Sequence, residues 1–182
     1  MNIVLVGSLW LGAEVLRALR EDGHAVPLVL APAGEDRLRL AADAAGITVL
    51  DDEILTDDAR ASRTISEAMD GRAVDVIVAA HSFRFIHAGV RGLAQHGAIG
   101  YHPSLLPAYR GRHAIEDAVR AGERTVGGSV YRLDEGWDRG TVLLQDRVDR
   151  LDGESAADVW RRALAPMGIR LLREAVRSLS AR

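Results

Sequence analysis

The sequence contains no cysteine. Disulfides, thiolate metal ligands and cysteine nucleophiles are therefore excluded. Aromatic residues make up only 4% of the chain while 48% is hydrophobic, so Ala, Val, Leu and Gly must supply most of the volume of any core. A core of that kind suits helices packed on a parallel sheet. No apolar stretch approaches the ~20 residues needed to cross a bilayer. The opening MNIVLVG also lacks the basic segment, apolar run and small-residue cleavage site of a leader. A cytoplasmic protein without a membrane partner is expected. The net charge of -3, from 23 basic and 26 acidic side chains, offers no basic field to recruit nucleic acid.

What is present is a regular alternation. Asn2–Val6, Ala25–Leu30, Ile47–Leu50 and Val74–Ala80 are short runs rich in Val, Ile and Leu, the signature of strands buried on both faces. Between them Leu11–Glu21, Asp36–Ala45 and Asp57–Met69 carry apolar residues at helical spacing, and Gly23 and Gly46 stand where helix ends favour a left-handed residue. The pattern predicts βαβ units, hence an α/β fold with a mostly parallel sheet flanked by helices. Further on, Ala98–Tyr101 reads as a strand, His113–Ala121 as a helix, and Gly128–Leu133 and Val142–Val148 as two strands joined by the acidic loop Asp134–Gly140. Ser155, with Asp158 three residues later, predicts the cap of a closing helix whose apolar face holds Leu164, Leu171, Leu172 and Val176. The 182 residues suit one domain, residues 1–182, with no repeat or linker.

Two regions carry chemistry. The first loop, Gly7-Ser8-Leu9-Trp10-Leu11-Gly12, lies where a helix N-terminus can meet a phosphate. It is not GxGxxG, Leu9 and Trp10 are bulky, and no acidic ribose ligand follows the second strand, so dinucleotide binding is disfavoured. The second region, Gly100-Tyr101-His102-Pro103-Ser104-Leu105-Leu106-Pro107-Ala108-Tyr109-Arg110-Gly111, places a histidine at the C-terminal end of a strand, where open α/β sheets bind ligands. Its prolines restrict the loop that follows. Downstream, Asp134, Glu135 and Asp138 cluster in one loop. A carboxylate beside an imidazole orients the ring and stabilises its protonated form, which suits proton transfer near neutral pH. Taken singly, a strand-end histidine and an acidic hairpin are ordinary surface chemistry.

Together, HPSLLPAYRG and DEGWDRG resemble the 10-formyltetrahydrofolate-dependent formyltransferase family, which includes enzymes acting on glycinamide ribonucleotide, methionyl-tRNA and sugar amines. The resemblance runs from the first strand to about Gln145. It implies a Rossmann-like fold that binds 10-formyltetrahydrofolate as formyl donor, with His102 and Asp138 as the catalytic pair and no metal. Phe83, Arg84, Phe85 and Ile86 match the family stretch that lines the pterin pocket, with Asp134, Glu135 and Gly136 closing its other side. The family's asparagine two residues before the histidine is replaced by Gly100. Loss of one oxyanion donor can cost about 10²–10³ in rate in other enzymes.

A replacement donor or acceptor contact is expected from His113, less so from Tyr101, or from a water beside Gly100. Arg110, Arg112 and Arg139 are candidates to meet an anionic acceptor or the folate glutamate. A chain that closes after one C-terminal helix argues against a tRNA acceptor, and the apolar Leu9-Trp10-Leu11 argues against a purine precursor. The expected partner is a small-molecule amine, with a homodimer an option. A diverged folate-binding or regulatory protein of the same fold stays open.

Overall fold

The computed structural model describes residues 1–181. Its centre is a seven-stranded sheet of order β3-β2-β1-β4-β5-β6-β7. The strands are β1 (Asn2–Gly7), β2 (Ala25–Ala31), β3 (Thr48–Asp51), β4 (Val76–Ala80), β5 (Ala98–His102), β6 (Thr125–Arg132) and β7 (Val142–Asp149). Strands β1 to β5 pair in parallel, whereas β5–β6 and β6–β7 are antiparallel. The mostly parallel α/β sheet expected from the alternation is thus present, with an antiparallel margin at one side.

Successive side chains of a strand face opposite sides, and both sides are covered. Ile3 and Leu5 join one apolar cluster with Leu11, Val15 and Leu19 of α1 (Leu9–Glu21) and with Leu171, Leu172 and Val176 of α7 (Ala165–Ser180). Val4 and Val6 join the other, with Leu55, with Ala61 and Ile65 of α3 (Asp58–Ala68), and with Val90 of α4 (Ala88–Arg91). The other α-helices of the described residues are α2 (Arg37–Ala44), α5 (Ala114–Arg120) and α6 (Ala156–Val159), and a 3-10 helix spans Asp52–Thr56.

The departures from expectation have local causes. The predicted strand Gly128–Leu133 begins earlier, at Thr125, and includes Gly127 and Gly128. Glycines usually weaken strands. Here a side chain at 128 would strike Tyr101 and one at 127 would strike Leu105 and the Asp146 carbonyl. Val74 lies outside β4 and forms an isolated bridge to Ala94. The predicted closing helix is broken into α6, a π-helical turn at Trp160–Leu164, and α7. Pro166, which has no N–H to give the preceding turn, stands at the start of α7. Ser155 and Asp158 form a full capping box, each accepting from the other's backbone N–H.

Candidate active site

β5 is where the sheet changes from parallel to antiparallel. A cleft of about 810 Å³ opens there, at the C-terminal ends of the parallel strands, the usual ligand side of open α/β sheets. Across the β5–β6 pair Gly100 lies opposite Tyr131 and His102 opposite Ser129. Ser129 fixes the loop after β5. Its hydroxyl donates to the Ser104 carbonyl at 2.6 Å and accepts from Leu106 N–H, while Gln145 Nε2 donates to the Leu106 carbonyl at 3.1 Å.

His102 and Asp138 are both buried and face each other, His102 Nδ1 lying 3.5 Å from Asp138 Oδ1. The other ring nitrogen, Nε2, lies 2.8 Å from the Tyr109 carbonyl. A carbonyl only accepts, so Nε2 carries the hydrogen and the neutral ring keeps its lone pair on Nδ1, towards the carboxylate. Asp138 is held from both sides: Tyr131 donates its hydroxyl to Oδ1 at 2.7 Å and Gly111 its N–H to Oδ2 at 2.8 Å. Burial, followed by the charge of Asp138, raises the Tyr131 pKa far above the ordinary phenol value, so this donor keeps its proton.

Backbone strain gathers here. Among the described residues, the non-glycine ones with positive φ are Leu9, Asp70, His81, Tyr109 and Asp138. Among these, His81 and Asp138 line the cleft and Tyr109 presents its carbonyl to His102. Conformations of that kind cost on the order of 1–3 kcal/mol each and persist where surrounding contacts enforce them, often at functional sites.

Of the residues singled out in the sequence, His102, Asp138, Gly100 and Tyr101 line the cleft, as do Phe83, Arg84, Phe85, Ile86, Asp134 and Gly136. Ile86 is also a core residue at 3% exposure, whereas Phe83 is 47% exposed at the mouth. Arg112 lines it too, and four candidates fall outside the lining, exposed Arg139 among them. Glu135 is exposed and pairs with Arg91; Arg110 donates Nε to the Asp138 carbonyl at 2.9 Å. His113 is exposed at the N-terminal boundary of α5. Tyr101 is committed elsewhere, donating its hydroxyl to the Leu164 carbonyl at 2.7 Å.

At Gly100 a Cβ would lie 3.0 Å from Leu133 Cδ2 and 3.5 Å from Ala79 Cβ. Leu133 thus packs against the point from which a side chain at 100 would start. Sequence reasoning passed over Tyr131 and Leu133, although alternation along β6 puts both on the face of Ser129. It also passed over His81 and Trp160, whose rings lie 6.1 Å apart in the cleft. Trp160 enters from the π-helical turn, which no local pattern announces. Among the described residues, no group of three or more acidic or histidine side chains is placed to hold a metal.

The formyl transferase family model matches residues 1–176. A methionyl-tRNA formyltransferase of Anaeromyxobacter dehalogenans (strain 2CP-C) is 35% identical over all of this chain and 59% of its own length. The mitochondrial 10-formyltetrahydrofolate dehydrogenase of Mus musculus is 31% identical over 99% of this chain and 20% of its own. This chain therefore spans little more than half of the first relative and a fifth of the second. Among solved structures, glycinamide ribonucleotide transformylase 1 from Symbiobacterium toebii superposes with a TM-score of 0.85, at 24% identity, over 100% of this chain and 89% of that one. The enzyme of the same name from Geobacillus kaustophilus gives 0.81 at 27% identity, over 98% of each chain. The family match spans both the loop carrying His102 and the loop carrying Asp138, and the sheet that holds them is the sheet of those enzymes; the chain belongs to the formyl transferase family.

Proposed function

We propose that this chain transfers a formyl group from 10-formyltetrahydrofolate to the amine of a small acceptor, with His102 and Asp138 as its catalytic pair. The observation that carries the reading is the buried His102–Asp138 pair in a cleft of about 810 Å³, within the range of roughly 300–1,000 Å³ typical of small-molecule sites. The donor fits the wall made by Phe85, Ile86 and Leu133, which is apolar enough for a flat ring system. Gly136 and Asp134 bound the same side.

When bound, the donor supplies the formyl carbon and a nitrogen leaving group, so a new C–N bond forms to the amine as the donor's breaks and one proton passes from amine to leaving nitrogen. His102 Nδ1 receives that proton. The resulting imidazolium is held at both ends, by the Tyr109 carbonyl and by the Asp138 carboxylate. The Tyr109 carbonyl fixes the ring and so the direction of the lone pair, while Tyr131 and Gly111 fix the carboxylate that accepts from the ring once Nδ1 is protonated. Alignment of this kind can supply up to roughly 7–11 kcal/mol in ideal intramolecular cases.

A second reading rests on Gly100. With no side-chain donor at that position and a Leu133 methyl packed against it, charge developing on a formyl oxygen receives less help than an asparagine would give. A protein that binds the folate without efficient transfer is consistent with this. Calorimetric titration with a stable 10-formyltetrahydrofolate analogue, paired with a tetrahydrofolate-release assay on added amines, separates the readings. Saturable binding with amine-dependent release, lost in His102→Ala, is the expected result. Binding without release selects the second reading, and no binding to folded protein overturns both.

A further inference from the structure

Two side chains of the cleft, His81 and Trp160, have no role in the proposed transfer, and Phe83, expected from the sequence beside the donor, packs against His81. The His81 ring lies 4.8 Å from that of Phe83, edge-to-face at 71°, and 6.1 Å from that of Trp160. Leu11 and Ile115 add aliphatic surface. Burial lowers the pKa of His81, so its imidazole stands as a neutral ring near neutral pH. The π-helical turn that delivers Trp160 is braced from beneath by the hydroxyl of Tyr101 on the Leu164 carbonyl; such turns recur at functional sites.

The N-terminal end of α1, the helix that gives Leu11 to the cleft, is poorly built for a phosphate. The Leu9 N–H, at the start of α1, donates to Asp36 Oδ2 at 2.8 Å. The other oxygen of that buried carboxylate caps α2 through Leu38 N–H. One internal negative charge therefore occupies the N-terminal ends of two helices, where it opposes any second anion. Of the two arginines that line the cleft, Arg112 stands 5.6 Å from the Phe83 ring centroid and Arg84 pairs with Asp52, and Glu116 also lines the cleft.

We infer that the acceptor is an amine on an aromatic or apolar body without a phosphate, held between Trp160, His81 and Phe83. The inference rests on the formyl-transfer reading only for the word acceptor; the subsite itself is testable by binding. Tryptamine and O-phosphoethanolamine share an ethylamine arm and differ in carrying an indole or a phosphate. Each is titrated calorimetrically into the protein alone and into protein saturated with the donor analogue. Tryptamine is expected to bind at least about tenfold more tightly than phosphoethanolamine. Trp160→Ala should weaken tryptamine about tenfold while donor-analogue affinity stays within about twofold, and Trp160→Phe should recover most of the loss.

Phosphoethanolamine binding as tightly as tryptamine, or tryptamine binding that ignores Trp160→Ala, overturns the inference and leaves the donor site untouched. Failure of the donor analogue alone overturns the formyl-transfer reading, and the tryptamine titration of the unloaded protein still decides the subsite.

Discussion

Asp138 owes its place to two donors, and one of them tests the pair directly. Tyr131 gives its hydroxyl to Oδ1, the oxygen that also faces His102. Tyr131→Phe removes that bond without emptying the volume. Removing a hydrogen bond to a charged group costs about 1.5–3 kcal/mol. Urea unfolding should show a loss of that size, and formyl transfer should slow by about tenfold or more as the carboxylate loses its fixed direction. Unchanged kcat in a destabilised protein would reduce Tyr131 to a packing residue. Gly100 invites the opposite experiment. Gly100→Asn combined with Leu133→Ala clears the Cβ contact at 3.0 Å and reintroduces an amide. Release of tetrahydrofolate should rise by about 10–10² if a missing donor limits the rate. No rise at saturating donor, relative to Leu133→Ala alone, would show that charge on the formyl oxygen is already stabilised by another group.

At the scale of elements, much of the fold was legible because the parallel strands announce themselves: Val76–Ala80 and, within β1, Ile3–Val6 are unbroken apolar runs. Glycine 127 and 128 hid the start of β6, since their packing against Leu105 and Tyr101 is a tertiary fact with no local signal. His102 and Asp138 were read from motifs, while Tyr131 and Trp160 depend on strand register and on the break before Pro166. The contact of α7 with α1 was equally hidden. Asp22, beyond the end of α1, pairs with Arg173 and Arg177 of α7 and has only 6% of its side chain exposed. The Arg173 hydrogen bond holds its carboxyl well below the usual carboxylate range, Arg177 adding to the effect and burial opposing it. A carboxyl whose folded pKa is depressed stabilises fully above its unfolded value of about 3.9, and that stability is lost as pH falls towards the folded value. Asp22→Asn should therefore cost about 1–3 kcal/mol at pH 7. It should also flatten the loss of stability below about pH 4, both measurable by denaturant unfolding across pH.

On the scale of the molecule, the cleft draws on both layers of the fold. Ile86 belongs to the apolar cluster that contains α3 and α4, whereas Leu11 belongs to the cluster that contains α1 and α7, and both line the same cleft. A ligand filling it therefore touches both halves of the core, and its binding should stabilise the whole chain. At a free concentration near 100 times its dissociation constant, a ligand specific to the folded state adds about 2.7 kcal/mol. For a chain of this size that corresponds to a Tm increase of roughly 5–11 °C. Trp137 and Trp160 both line the cleft and are two of the three tryptophans in the sequence, so tryptophan fluorescence reports chiefly on the site and far-UV circular dichroism on the whole fold. With the donor analogue present, both transitions should move together by that amount. A shift seen by fluorescence alone would mean that the loops and α6 around the cleft open before the sheet does, and the strained Asp138 and Tyr109 loops would then be held by the ligand rather than by the core.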